Sequence, residues 1–358
     1  MSAALFDRAS LVIVVGAGGV GKTTLAAALG LEAARAGQRS LVMTFDPSLR
    51  LKDTLGVGDA ARDVEVEVAT RSVGVPEGRL FASLLDAKQT FDRLVRRYAP
   101  DAAAAQRILH NRFYSHLSGT LSGVLEYMAV ERLFEVASDG GFDTVVLDTP
   151  PTREALDFLD APNRIVGFLD SGALRIALKP WFDEDGHLRV ARRFGPIGRG
   201  VEAFFDRIVG LRLLRDMAEF FLAFAPLYEG FRERAHQVNR LLRSSGTVFV
   251  LVTRPEPERI PETLFFARRL KDAGYRLGPV LVNMCHPPSD AGWTRGGDDA
   301  GKRLMAWLAE RDARGLEEYR ARLGDHPLVE VPLVAEEPSD LESLDRLRER
   351  LAERWCPA

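Results

Sequence analysis

Cysteine is nearly absent: 358 residues carry two, Cys285 and Cys356, 71 positions apart. That excludes a disulfide-rich scaffold and any CxxC metal or redox site, and it fits a reducing cytoplasm. Charge of one sign is lacking too. With 48 Lys+Arg against 51 Asp+Glu, the formal net charge is -3, which removes the broad electrostatic reason to expect nucleic acid or an anionic membrane as partner. Long apolar runs are also missing. Leu11 to Val15 and the stretch around Phe220 to Leu227 fall well short of the ~20 residues that cross a bilayer. The opening MSAALFDRAS is broken by Asp7 and Arg8 before a signal-peptide core can form. A soluble, cytoplasmic chain without a transmembrane segment is expected. Lysine is scarce as well, six of the 48 basic residues, a bias of composition that decides nothing about chemistry.

What is present suffices for a sizeable core, since 46% of residues are hydrophobic, and global disorder is excluded. The length suggests about two domains, or one large α/β domain with an insertion. The N-terminal third alternates strand, loop and helix, as a parallel sheet covered by helices requires. Leu11 to Val15 is a β-branched run suited to a strand buried on both faces. Thr23 to Ala36 reads as a helix stopped at Gly37. Ser40 to Phe45 reads as a strand ending at Asp46-Pro47. A strand is expected at Val64 to Ala69, then helices over Leu84 to Tyr98, Ala102 to Asn111 and Leu117 to Ala137, and a buried strand at Thr144 to Leu147. From about Ala155 to Leu242 there is helical periodicity only, so residues 155–245 are expected to form a helical insertion subdomain within a single domain spanning 1–358. Strands at Thr247 to Val252, Pro279 to Asn283 and Leu328 to Val331, a helix from Pro257 to Ala273 and a charged helix from Asp340 to Arg354 complete the reading. The expected fold is α/β: a three-layer, mostly parallel sheet flanked by helices.

Gly16-Ala-Gly-Gly-Val-Gly-Lys22-Thr23 satisfies GxxxxGK[ST] between a buried strand and a helix. Gly18, Gly19, Val20 and Gly21 would turn backbone N–H groups toward phosphates, and the helix N-terminus adds its dipole. Lys22 supplies a point charge for the β- and γ-phosphates. The Thr23 hydroxyl is the expected Mg²⁺ ligand, with Thr24 beside it. A carboxylate is needed near the metal at the end of a neighbouring strand, and Asp148 closes Val145-Val-Leu-Asp148. Asp46 ends the other strand, where a carboxylate could orient or deprotonate an attacking water.

With those residues in view, the sequence resembles the arsenite-pump and tail-anchored-protein-targeting ATPases, a branch of the deviant-P-loop ATPases, and in particular a bacterial subgroup described as ArsA-like or anion-transporting. The resemblance rests on Gly16 to Thr24, Asp46-Pro-Ser-Leu-Arg-Leu-Lys-Asp53, Asp148-Thr-Pro-Pro-Thr152, Asn283 and Pro332-Leu333 in the family's order. It implies hydrolysis of ATP with Mg²⁺ in a nucleotide-clamped homodimer, or a heterodimer with a related ATPase. It further implies Asp46 as water-activating residue, Asp148 as ligand of a Mg²⁺-bound water, Asn283 as adenine reader, and Pro332 with Leu333 packing on the base. A hydrophobic client or membrane-protein partner is a further implication. The runner-up is a weakly catalytic nucleotide-binding scaffold subunit.

Two departures from the family stand out. Its loop usually carries a second lysine that reaches the partner's phosphates, and here that position is Ala17. Arg153, directly after Asp148-Thr-Pro-Pro-Thr152, is a cation that could stand in, although a solvated Arg at a helix start is the blander reading. Two cysteines cannot build the three-thiolate arsenite site within one chain, and the zinc-binding CxxC of the targeting factors is missing. His110 and His116 lack companions for a metal site. The large apolar residues Met217, Phe220, Phe221, Phe224, Leu227, Tyr228 and Phe231, with a preceding stretch from Val201 to Leu214, repeat at helical spacing. They would serve either as internal packing or as an exposed client groove.

Overall fold

Six consecutive buried residues, Leu11–Gly16, make β1 the middle of the sheet, as its unbroken β-branched run requires. The structure is a computed structural model that describes residues 9–44, 50–112, 114–115, 124–150, 159–164, 167, 220, 223–224, 227–288 and 299–354. In chain order β1 is followed by α1 (Lys22–Arg35), β2 (Ser40–Thr44), α2 (Arg50–Leu55), β3 (Val66–Glu67) and β4 (Leu80–Leu84). Next come α3 (Ala87–Tyr98), α4 (Ala102–Leu109), α5 (Val124–Asp139) and β5 (Thr144–Asp148). Then α6 (Tyr228–Leu242), β6 (Thr247–Thr253), α7 (Ile260–Asp272), β7 (Leu277–Cys285), α8 (Ala300–Leu323), β8 (Leu328–Pro332) and α9 (Leu341–Arg354) follow. Asp46, Arg153, His116, Cys356 and the stretch Val201 to Leu214 lie outside the described residues.

The strands form one eight-stranded sheet in the order β3-β4-β2-β5-β1-β6-β7-β8. Every pair is parallel except the short edge strand β3 on β4. The mostly parallel α/β sheet expected from the sequence is therefore present. Two local expectations are corrected. Leu80–Leu84 is a strand, and the helix expected from Leu84 starts only at Ala87, because the Asp86 carboxylate accepts from the Gln89 amide and caps it there. The 24-residue helix α8 was not expected at all. Its buried face is built from Ala306, Ala309, Asp312, Gly315, Leu316 and Tyr319, of which only Leu316 and Tyr319 are large and apolar, too few to give a broad apolar stripe to read.

The chain divides into two compact units, one of residues 1–85, 133–156 and 240–358, the other of 86–132 and 157–239. The first holds the sheet. On it the Ala-rich face of α1 lies so close that a Cβ at Gly30 would come within 2.2 Å of Val42 Cγ2, which is why helix and strand can approach there. In the second unit Phe91, Tyr114, Tyr127, Phe220, Phe224 and Phe231 form the core, with Phe224 and Phe231 ring centroids 4.9 Å apart. The described members of the apolar stripe, Phe220, Phe224, Leu227 and Phe231, are thus buried packing residues. A buried ion pair, Arg234 with Glu131, lies beside Tyr127 in the same core; burial, reinforced by the Glu131 carboxylate, pushes the Tyr127 hydroxyl well above its ordinary range.

Candidate functional site

The loop between β1 and α1 is shaped by glycines in conformations that other residues resist. Gly16, Gly19 and Gly21 have φ of 152°, 73° and 88°, the range in which a Cβ collides with its own backbone. A Cβ on Gly16 would also lie 2.1 Å from the Val252 carbonyl oxygen, and one on Gly21 would lie 2.3 Å from Asn283 Nδ2. Gly21 is at the same time the N-cap of α1, in left-handed conformation with no side-chain cap. The N-cap residue therefore offers the first N–H groups of α1 no side-chain acceptor, the arrangement that suits an anion.

Lys22 is buried, and its ammonium donates to the Ala17 carbonyl at 2.8 Å, across the mouth of the loop. Next to it Thr23 Oγ1 donates to Asp148 Oδ2 at 2.6 Å. Asp148 ends β5, which pairs with both β1 and β2, so the topology brings this carboxylate, 125 positions along the chain, to the phosphate loop. Thr44, the last residue of β2, donates to the same Asp148 oxygen at 2.9 Å. Thr44 and Asp148 are both buried. Thr149 is tied in turn to β1, its hydroxyl donating to the Val14 carbonyl at 2.8 Å. Thr23 and Asp148 together suit a small, hard cation that keeps most of its ligands from phosphate and water. Among the described residues no group of three or more His, Cys, Asp or Glu could hold a metal ion on its own.

On the other flank, Asn283 near the end of β7 donates its amide to the Val20 carbonyl at 2.8 Å. Leu333, just past β8, donates its N–H to the Cys285 carbonyl at 2.8 Å, which sets Pro332-Leu333 beside the exit of β7. The sequence-selected residues Gly18 to Thr24, Asp148, Asn283, Pro332 and Leu333 thus all belong to the C-terminal edge of the sheet, the ligand edge of open α/β folds. Sequence reasoning missed Thr44, since nothing local to a threonine before a turn marks it as a partner of Asp148.

Beside Thr23 and Thr24 opens a cavity of about 190 Å³. Its walls include Ala27, Asp53, Thr54, Glu337 and Ser339. Thr54 ties two of the walls together by donating to the Pro338 carbonyl at 3.5 Å. Among the described residues its polar lining is hydroxyls and the Asp53 and Glu337 carboxylates with no cation, set between the apolar Ala27, Leu51 and Pro338; those polar groups accept O–H donors and repel phosphate.

Residues 9–179 match the family described as anion-transporting ATPase. ATPase ARSA2 of Chlamydomonas reinhardtii is 24% identical over 357 residues, covering 97% of this chain and 85% of its own. ATPase get3 of Aspergillus terreus is 23% identical over 354 residues, with 97% and 91% covered. ATPase GET3 of Chaetomium globosum is 23% identical over 358 residues, with 99% and 94% covered.

Proposed function

We propose, from the match of residues 9–179 to the anion-transporting ATPase family, that the chain hydrolyses the β–γ phosphoanhydride bond of ATP with Mg²⁺ at the β1–α1 loop. The observation that carries this reading is the Thr23–Asp148 hydrogen bond of 2.6 Å, in which a hydroxyl at the start of α1 and a carboxylate at the end of β5 meet at a glycine-shaped phosphate cradle. Lys22 would exchange its Ala17 contact for the β- and γ-phosphate oxygens. Thr23 and Asp148 would hold Mg²⁺, the latter through water; the ion, when bound, offsets charge on the phosphate oxygens. Asp46 would orient the attacking water.

Asn283 would read the base. One Nδ2 hydrogen is committed to Val20, leaving the second hydrogen and Oδ1, the donor–acceptor pair that matches adenine N7 and N6 and mismatches guanine. Pro332 and Leu333 would cover the ring. The cavity beside Thr24 would take the sugar, its carboxylates accepting the 2′- and 3′-hydroxyls, as acidic residues do in other nucleotide sites. Hydrolysis would open and close a dimer of this chain, or of this chain with a related ATPase, around a client or partner.

Steady-state phosphate release from Mg-ATP, measured alongside ADP affinity, tests the reading. We expect turnover that disappears in Lys22→Ala and in Asp46→Asn, with nucleotide affinity lost only in the former. Tight ATP binding without any turnover would sink the hydrolase reading.

A further inference from the structure

Met284 has a φ of 60°, one of two non-glycine residues with positive φ among the described residues. It follows Asn283 directly, at the point where the β7–β8 register shifts between Val282 and Cys285. A methionine does not rest there by preference; such a conformation persists where its surroundings fix the chain on both sides. On one side the Asn283 amide is held on the Val20 carbonyl at 2.8 Å. On the other, one oxygen of Asp312 takes both the backbone N–H of His286, at 3.0 Å, and its Nδ1, at 2.7 Å.

Asp312 is itself immobilised. It is 1% exposed, and its second oxygen accepts from Arg311 Nε at 3.1 Å and Nη2 at 2.8 Å. Arg311 also lies 3.6 Å from Glu256, which Arg254 approaches at 3.1 Å. The helix that carries Asp312 is seated with little slack. At Gly315, one turn further along α8, a Cβ would meet the Pro255 carbonyl oxygen at 1.8 Å. Still further along, the Tyr319 hydroxyl pairs with Thr253 at 2.9 Å.

We infer that Asp312 is a positioning residue for base recognition. By gripping His286 at two atoms it holds Met284 in the left-handed turn, and that turn aims the Asn283 side chain at the phosphate loop. Without the grip residue 284 would relax toward negative φ, and in an extended chain such a change re-aims the neighbouring side chain. The partners of Asp312 among the described residues are His286 and Arg311, so its influence on Asn283 passes through His286 and Met284. This rests on the nucleotide reading above and adds to it a buried carboxylate and a strained residue that set which base is preferred.

The test is the ratio of ADP to GDP affinity, measured by calorimetry on the full chain. In Asp312→Ala the ADP affinity should fall by about tenfold, as loss of a well-made polar contact allows, and the preference for ADP over GDP should shrink with it. Adding Met284→Gly should restore the ratio, because glycine adopts that φ unaided. An unchanged ratio in Asp312→Ala, or no rescue by the glycine, would overturn the inference. Should Asp312→Ala not fold, His286→Ala decides: it removes only the ring contact, and a smaller loss of the same ratio supports the role while an unchanged ratio rejects it. Absence of ADP binding by the wild-type chain would instead mark failure of the nucleotide reading itself.

Discussion

Thr44 and Thr23 donate to the same oxygen of Asp148, at 2.9 and 2.6 Å. One hydroxyl comes from the end of β2 and the other from the start of α1, so a single carboxylate joins the phosphate loop to the strand that leads into Asp46. Replacing Thr44 with valine keeps the volume and removes the donor inside a buried site. The expected cost is about 1–2 kcal/mol of stability, with ATP turnover reduced by about tenfold. Thr44→Ser should keep most of both. Turnover and thermal melts of the two variants check this; equal activity of Thr44→Val and wild type would remove Thr44 from the site.

The glycines of the loop should not be equivalent. Gly19 has φ of 73° and nothing within 4 Å of where a Cβ would stand, whereas a Cβ on Gly21 would strike Asn283 Nδ2 at 2.3 Å. Gly19→Ala therefore carries backbone strain alone, about 1 kcal/mol. Gly21→Ala adds a clash that dislodges Asn283 from Val20, so it should melt lower than Gly19→Ala and lose more ADP affinity. The reverse order would contradict this packing of Asn283 on the loop.

How much of this could be read from residues in line depends on whether the chemistry is local. The phosphate loop is contiguous, so Gly16 to Thr24 could be picked out with its flanking strand and helix. Asp148 could be found because it ends a buried strand, and Asn283 through its place in the family's order. Thr44 and Asp312 could not, since their partners lie 104 and 26 positions away, brought together by the strand order in the first case and by the seating of α8 in the second. Helix α8 escaped because it packs through Ala306, Ala309 and Gly315, whose small side chains leave no apolar period. Strand β4 escaped because Leu84 fits a helical pattern until Asp86 is seen to cap the helix that follows. The second unit draws on 86–132 as well as 157–239, a pairing of distant stretches that periodicity does not encode.

If the cavity beside Thr24 takes the sugar, the hydroxyls of the ligand should matter. Binding of 2′-deoxy-ADP should be weaker than that of ADP by about fivefold, a modest factor because Asp53 and Glu337 are exposed to water. Asp53→Asn with Glu337→Gln should narrow that gap while leaving pyrophosphate binding unchanged. Equal affinity for the two nucleotides in the wild-type chain would place the sugar elsewhere.

Cys285 should behave as an inert thiol. It is buried, and its sulfur donates to the Val282 carbonyl at 3.1 Å. Burial, with smaller contributions from the Glu330 and Asp312 carboxylates, pushes it from about 9 up to about 12. The thiolate is the reactive form, so in a Cys356→Ser background iodoacetamide at about pH 8 should leave the native protein unlabelled and modify it fully once unfolded. The sign of the linkage follows from the upward shift. The folded chain holds this proton more tightly than the unfolded one, so the contribution of the neutral thiol is complete below about pH 9 and is lost as pH rises toward 12. Replacing Cys285 by alanine should accordingly flatten the decline in melting temperature over that interval. Rapid labelling of the native protein under the same conditions would show that the exit of β7 opens in solution.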